Sequence, residues 1–269
     1  VLASGEVMRL GKNTVKGVAG YDLVSLVVGS EGTLALVTEI TVSLLPKPRV
    51  LQTALLQFDS NEMALQAVTK ILHSGFLPKT LEYMDASCME GYAALVIECD
   101  GDEDESVLNI LSELVTLANP TDSKVALSEK QREEIWEHRR QMSVRLKKRA
   151  AYKISEDIVV PRSQILAFSQ GLQAIGQRHQ IDTAVFGHAG DGNLHAQLLM
   201  KQETNHDKAL LELFELTVQL GGTISGEHGI GLAKKAYLSL EQTPSVIALQ
   251  QAIKKVWDPD GMLNPGKIF

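Results

Sequence analysis

Thr183-Ala184-Val185-Phe186-Gly187-His188-Ala189-Gly190-Asp191-Gly192-Asn193-Leu194-His195-Ala196-Gln197-Leu198-Leu199-Met200 reads as two apolar strands joined by a tight reversal. One apolar run enters at residues 183–186 and another leaves at 196–200. Between them three glycines, with Asp191 and Asn193, supply the residue types that close a short turn. The two strands of such a hairpin are antiparallel. On one straight strand, residues seven apart would face opposite sides; across a hairpin, His188 and His195 can face each other.

Upstream, strand and helix patterns alternate. Residues 50–58 read as a strand and 61–73 as a helix, with Met63, Ala64, Ala67, Val68, Ile71 and Leu72 at helical spacing and Gly75 as a stop. Strand-like runs follow at 79–84 and 93–99, and the acidic stretch 100–105 leads into a helix through Leu117. A short strand near 125–127, a helix over 129–148, a strand over 151–160 ended by Pro161 and a helix over 164–179 continue the pattern. Near the start, two β-rich runs flank a Gly29-Ser30-Glu31-Gly32 turn before Pro46 and Pro48. The expected class is α+β, an antiparallel sheet covered by helices on one face. The Pro-Lys-Pro segment marks the expected boundary between domains at 1–48 and 49–269.

Composition narrows the function. With 44% hydrophobic and 22% charged residues among 269, the chain has a globular profile rather than a disordered or fibrous one. A net charge of −7 argues against nonspecific nucleic-acid binding. Cys88 and Cys99 are too few for a disulfide framework, an all-cysteine cluster or a thiolate zinc site, and they fit a reducing compartment. No apolar run approaches the roughly 18 residues of a membrane span, and no signal peptide is visible. The expected location is cytoplasmic, or peripheral at the inner membrane face. The chain opens at Val1 rather than Met, so a piece of a longer protein is expected.

Three segments carry chemistry. The first is the hairpin: two imidazoles converging over a turn suit a divalent metal of borderline softness. The second is Gly221-Gly222-Thr223-Ile224-Ser225-Gly226-Glu227-His228-Gly229-Ile230-Gly231, with five glycines before and around Glu227 and His228 that let the backbone lie close to a bound group. Glu227 as third ligand completes a His-His-Glu set with open positions, the pattern of a catalytic site. Its neighbour His228 is then left to face a substrate. The third segment is basic: seven cations and no acid lie between Arg139 and Lys153. Most of that set reads as a solvated helix face. Arg139, one turn from Trp136, is the exception, because a planar guanidinium beside a metal can grip a carboxylate.

Four ordered motifs now stand together: Gly29-Ser30-Glu31-Gly32-Thr33-Leu34, the hairpin, the Glu227-His228 loop and the terminal Asp258-Pro259-Asp260-Gly261-Met262-Leu263-Asn264-Pro265-Gly266-Lys267. Over nearly the whole chain they resemble the FAD-linked 2-hydroxy-acid dehydrogenases of the vanillyl-alcohol oxidase superfamily, among them D-lactate dehydrogenase, the glycolate oxidase flavin subunit and D-2-hydroxyglutarate dehydrogenase. Ala35 departs from the family's usual Gly. The resemblance implies that residues 1–48 are the C-terminal tail of an α+β FAD-binding domain, and that 49–269 form the substrate, or cap, domain. It implies FAD as cofactor, with Gly29, Ser30, Glu31, Gly32 and Asn264 near the flavin. It implies a divalent metal, zinc foremost, on His188, His195 and Glu227, and His228 as general base. Arg139 falls at the substrate-carboxylate arginine, Ser143 stands where the hydroxyglutarate enzymes have Thr, and Lys153 lies one residue off their Lys.

The implied reaction oxidises a D-2-hydroxy acid, of the D-2-hydroxyglutarate or D-lactate type, to the 2-keto acid by hydride transfer to flavin. Without an iron–sulfur motif, electrons must leave to a separate acceptor: a quinone, a cytochrome or an electron-transfer flavoprotein. A homodimer is the expected assembly. Two rival classes stay open from the residues alone. One is a metallohydrolase using the same His-His-Glu set. The other is a non-catalytic metal-binding fragment, since the flavin domain is expected to be incomplete here.

Overall fold

In the computed structural model, which describes residues 1–89, 91–202 and 206–269, Asp22 accepts a hydrogen bond from Ser25 N–H and opens a short helix, α1 (Leu23–Val27). This corrects the first expected strand: an Asp cap satisfies a helix N-terminus, and valine-rich composition alone does not make a ladder. The second expected strand, after Gly32, is also absent. Leu36 exchanges backbone hydrogen bonds with Val1, but no ladder forms over 34–45 among the described residues.

From residue 50 the alternation appears as elements. They run β1 (Val50–Phe58), α2 (Asn61–His73), β2 (Thr80–Met84), β3 (Ala93–Gly101), α3 (Asp104–Ala118) and β4 (Asp122–Val125). Then come α4 (Glu129–Arg140), α5 (Met142–Arg149), β5 (Tyr152–Val159), α6 (Ile165–His179), β6 (Asp182–His188) and β7 (Asn193–Met200). Beyond the hairpin lie α7 (Asp207–Gln219), α8 (Leu238–Glu241) and α9 (Pro244–Trp257). Local chemistry sets several starts. Ser60 caps α2 by accepting from Met63 N–H, and Ser128 caps α4 by accepting from Gln131 N–H. Pro244 occupies the first turn of α9, where its missing N–H costs nothing. Two bounds moved. β4 lies a few residues before the expected position. The single helix expected over 129–148 is two, broken at Gln141, whose ψ is near 0 at −5°.

The chain forms two units, described separately. One comprises Pro46–Gly226, the other Val1–Leu45 with Glu227–Phe269. In the first unit, the described strands form one sheet of seven in the order β4-β1-β3-β2-β6-β7-β5, with antiparallel pairing throughout. The class is α+β, as expected. Helices cover both faces rather than one. α2, α3 and α6 pack on one side, over the buried Leu56, Tyr83, Leu95 and Ile97. α4 and α5 close the other, where Ile135, Met142 and Leu146 share a core cluster with Met84, Val96 and Phe186. The reason is alternation: successive strand residues point to opposite sides, and both sides here carry enough apolar area to need a cover.

Candidate active site

Register turns the α4–α5 face of the sheet into rows. Glu82 lies opposite His188, His188 opposite Asn193, and Asn193 opposite Val159. The next row runs Met84, Phe186, His195, Asp157, and the one after it Ala184, Gln197, Ser155. Lys153, opposite Leu199, follows. Residues opposite one another, or two apart on one strand, share a face. Both histidines, Glu82, Asp157, Gln197 and Lys153 therefore lie under α4 and α5.

The hairpin turn is built to hold this arrangement. Asp191 and Gly192 both donate their N–H to the His188 carbonyl, at 3.2 and 3.0 Å. Asn193 N–H is received by the Asp191 carboxylate at 2.9 Å. Gly192 has φ +90°, and a Cβ there would sit 2.2 Å from the Val160 carbonyl oxygen, so the position requires glycine. The result is that the His188 and His195 rings meet edge to face with centroids 5.9 Å apart. The expected facing of the two imidazoles is what the structure shows.

Glu82 organises what surrounds them, and the sequence reading did not single it out. Its side chain is 2% exposed. Arg139 Nε and Nη2 reach its Oε2 at 2.7 and 2.6 Å, and His188 Nδ1 hydrogen-bonds its Oε1. Burial alone would raise the Glu82 carboxyl, but the His188 bond and the Arg139 charge hold it below its usual value. The same bond to Glu82 raises His188, against partial burial. An ionised carboxylate only accepts, so Nδ1 of His188 carries a proton, and in the neutral form of the ring the lone pair sits on Nε2. Arg139 also lies over the Phe186 ring, 4.8 Å from its centroid, and Phe186 packs on His195 at 5.2 Å. The one sequence signal for Glu82 is an acid inside the apolar strand Thr80-Leu81-Glu82-Tyr83-Met84.

The other expected substrate residues are brought together in part. Lys153 Nζ donates to Ser143 Oγ at 2.6 Å and to the Ser143 carbonyl at 3.2 Å. Burial, then the charge of Lys147, pulls the Lys153 ammonium below its usual value. Elsewhere in the basic run the solvated-face reading fits: Arg140 pairs with Glu133 and Glu137 on the surface, and Arg149 caps the Ser87 carbonyl. Trp136 is partly buried and donates to Glu98 at 2.9 Å, which pins α4 to the sheet.

Gly226 ends this unit. A Cβ on it would fall 2.8 Å from Asp157 Oδ1 and 2.9 Å from Asn193 Nδ2, so a larger residue would push those side chains aside next to the row of His195. Glu227 is the next residue. In the other unit, Glu31 accepts the N–H groups of Ile230 and Gly231, both at 2.7 Å, and fixes the loop that carries Glu227 and His228. Asn264 donates its side-chain amide to the Glu31 carbonyl. Three stretches named from the sequence, the 29–32 turn, the His228 loop and Asn264, thus meet within that unit. Glu227 and His228 are exposed there, 3.8 Å apart at their nearest charged atoms.

The donor set of the first unit fits a divalent metal. His188 has its tautomer fixed, His195 faces it, and Asn193 Oδ1 and Gln197 Oε1 are buried acceptors with no hydrogen-bond donor among the described residues.

Residues 47–268 match the sequence profile of the C-terminal domain of FAD linked oxidases. The chain belongs to that family. Among curated relatives of this FAD linked oxidase domain, glycolate oxidase subunit GlcD of Bacillus subtilis (strain 168) is 37% identical over 290 residues, matching all of this chain and 62% of its own length. D-2-hydroxyglutarate dehydrogenase of Stutzerimonas stutzeri (strain A1501) is 32% identical over 299 residues, matching all of this chain and 63% of its own. D-lactate dehydrogenase of Anaerostipes hadrus is 29% identical, with 100% and 62% covered. The chain thus spans under two thirds of the length of these relatives. Among solved structures, alkyldihydroxyacetonephosphate synthase shares the fold with a TM-score of 0.62 at 15% identity, over 93% of this chain and 51% of the other.

Proposed function

We propose that this chain is the substrate- and metal-binding part of a flavin-dependent oxidoreductase that converts a D-2-hydroxy acid to its 2-keto acid. The observation that carries the reading is the convergence of His188 and His195 on the sheet face that carries Lys153 and that Arg139 on α4 and Ser143 on α5 meet from above. The named relatives, a glycolate oxidase subunit and dehydrogenases of D-lactate and D-2-hydroxyglutarate, support the same class.

His188 and His195, with Glu227, would hold the divalent ion, zinc being favoured by the nitrogen-rich set. A metal bound there supplies Lewis acidity, which lowers the pKa of a coordinated hydroxyl. FAD, when bound, supplies the hydride acceptor, and Gly29, Ser30, Glu31, Gly32 and Asn264 are the residues assigned to it. His228 takes the hydroxyl proton as general base. Arg139 uses two of its five donors on Glu82 and keeps the others for a substrate carboxylate. Ser143 and Lys153 hold a second carboxylate, so D-2-hydroxyglutarate-like diacids are the favoured substrates. Electrons leave to a separate quinone, cytochrome or electron-transfer flavoprotein. A cytoplasmic or inner-membrane-peripheral site and a homodimer complete the proposal.

The test is anaerobic reduction of the flavin in the full-length protein by a panel of D-2-hydroxyglutarate, D-lactate and glycolate. We expect bleaching of the flavin's visible band, fastest with the diacid. His228→Asn should slow it by ~10²–10⁴-fold, the usual contribution of a general base. No reduction by any acid would overturn the activity, and normal reduction in the variant would overturn the role of His228.

A further inference from the structure

We infer that Glu82 is a positioning residue for the metal centre: it fixes the tautomer and aim of His188, and Arg139 is the anchor that holds it in place. The inference rests on the proposed metal reading and adds to it a residue that is not itself a ligand.

The geometry supports each step. Glu82 and His188 are directly opposite across β2 and β6, so the backbone ladder brings them together before any side chain chooses a rotamer. Both carboxylate oxygens are engaged, Oε1 by His188 Nδ1 and Oε2 by Arg139 Nε and Nη2. Three donors thus hold three of its roughly four acceptor positions, which commits Glu82 to His188 and Arg139. What it does there is accept a hydrogen bond from Nδ1–H of His188 and leave Nε2 as the ligating atom. A ligand histidine oriented by a carboxylate is held in one ring plane and made more basic. A carboxylate 2% exposed needs a cation beside it, and Arg139, itself 11% exposed, is that cation. The anchor also reaches the second imidazole: Arg139 covers Phe186, and Phe186 lies on His195. One buried ion pair therefore constrains both histidines, from a strand that contributes no ligand.

The experiment uses the full-length protein stripped of metal and titrated with Zn²⁺ against a chromophoric chelator, with Co²⁺ as a spectroscopic probe. The wild type should bind one ion, and His188→Ala should bind none. Glu82→Gln should bind ~10- to 100-fold more weakly, the usual cost of losing such an orienting partner, and should shift the Co²⁺ visible spectrum. Because Glu82→Gln leaves the Arg139 charge buried without its partner, the double variant Glu82→Gln/Arg139→Met serves as the folded control. It should recover thermal stability without recovering affinity. Wild-type affinity in either variant would overturn the inference while leaving the metal reading intact. A wild type that binds no metal would overturn both. A readout free of substitution is the ring-nitrogen NMR signature of His188 in the ¹⁵N-histidine-labelled apoprotein. A proton on Nδ1 is expected, and a proton on Nε2 would overturn the inference.

Discussion

The two faces of the seven-stranded sheet are made by alternate residues of the same strands, yet they are held by different physics. Under α2, α3 and α6 the strands contribute Leu56, Tyr83, Leu95 and Ile97, all buried. Under α4 and α5 they contribute Glu98, Glu82, His188, His195, Asp157, Gln197 and Lys153 among Met84, Val96 and Phe186. The first face is stabilised by apolar area, which is large and indifferent to orientation. The second holds its charged groups in pairs and bonds: Glu82 to Arg139 and His188, Glu98 to Trp136 and Thr53, Lys153 to Ser143. Buried pairs of this kind add little net stability but make any other arrangement costly. One side of the sheet keeps the domain folded, and the other keeps functional groups in place.

The largest effect that separates them is a truncation on the apolar face. Leu95 is fully buried. Leu95→Ala removes packed methyl groups and leaves a cavity, and should cost about 2–5 kcal/mol of unfolding free energy. Metal content at saturating Zn²⁺ should stay that of the wild type in the fraction that remains folded. Denaturant unfolding followed beside metal analysis checks this, and loss of metal from the folded variant would show that the two faces are not independent.

The carboxylate just past the end of β2 sharpens the contrast. Glu82 is met by an arginine and a histidine; Asp85 is met by the N–H groups of Val185 and Cys88, at 2.7 and 2.9 Å. Burial dominates for Asp85 and pushes its carboxyl up from 3.8 to about 6, despite those bonds. The folded chain then binds this proton more tightly than the unfolded one. The Asp85 contribution to stability is present in full below pH 4 and is lost as pH rises from about 4 to about 6, by roughly 3 kcal/mol. The measurement is the difference in unfolding free energy between wild type and Asp85→Asn across that range. It should shift by this amount in favour of the variant as pH rises, and a difference independent of pH would refute the assignment.

The same division explains what the sequence disclosed. Residues 61–73 and the hairpin around His188 were legible because apolar spacing and turn glycines are local signals. The facing of His188 and His195 followed from the hairpin alone. Glu82 was not legible as a site residue, because its partners Arg139 and His188 lie 57 and 106 positions away and only register unites them. The break at Gln141 carries no proline or glycine to announce it. The runs near Val24 and Ile40 misled because β-rich residues without a neighbouring strand have no ladder to join.

The smallest effect tests whether the polar face also chooses the substrate. Lys153 lies two rows beyond His195 along β5 and β7, about 13 Å at the ordinary rise of a strand. In the proposed function its ammonium serves the far end of a diacid rather than the carboxylate beside the metal. Ser143 holds it there at 2.6 Å. A hydrogen bond to a charged group is worth about 1.5–3 kcal/mol, or roughly ten- to a hundred-fold. Lys153→Ala should lower kcat/KM for D-2-hydroxyglutarate in the full-length enzyme by that factor and leave D-lactate nearly unchanged. Stability should move little, since Lys153 is partly exposed. Equal losses on the two acids would mean that Lys153 merely fastens α5 to the sheet, and a wild-type preference for lactate would remove the second-carboxylate argument altogether.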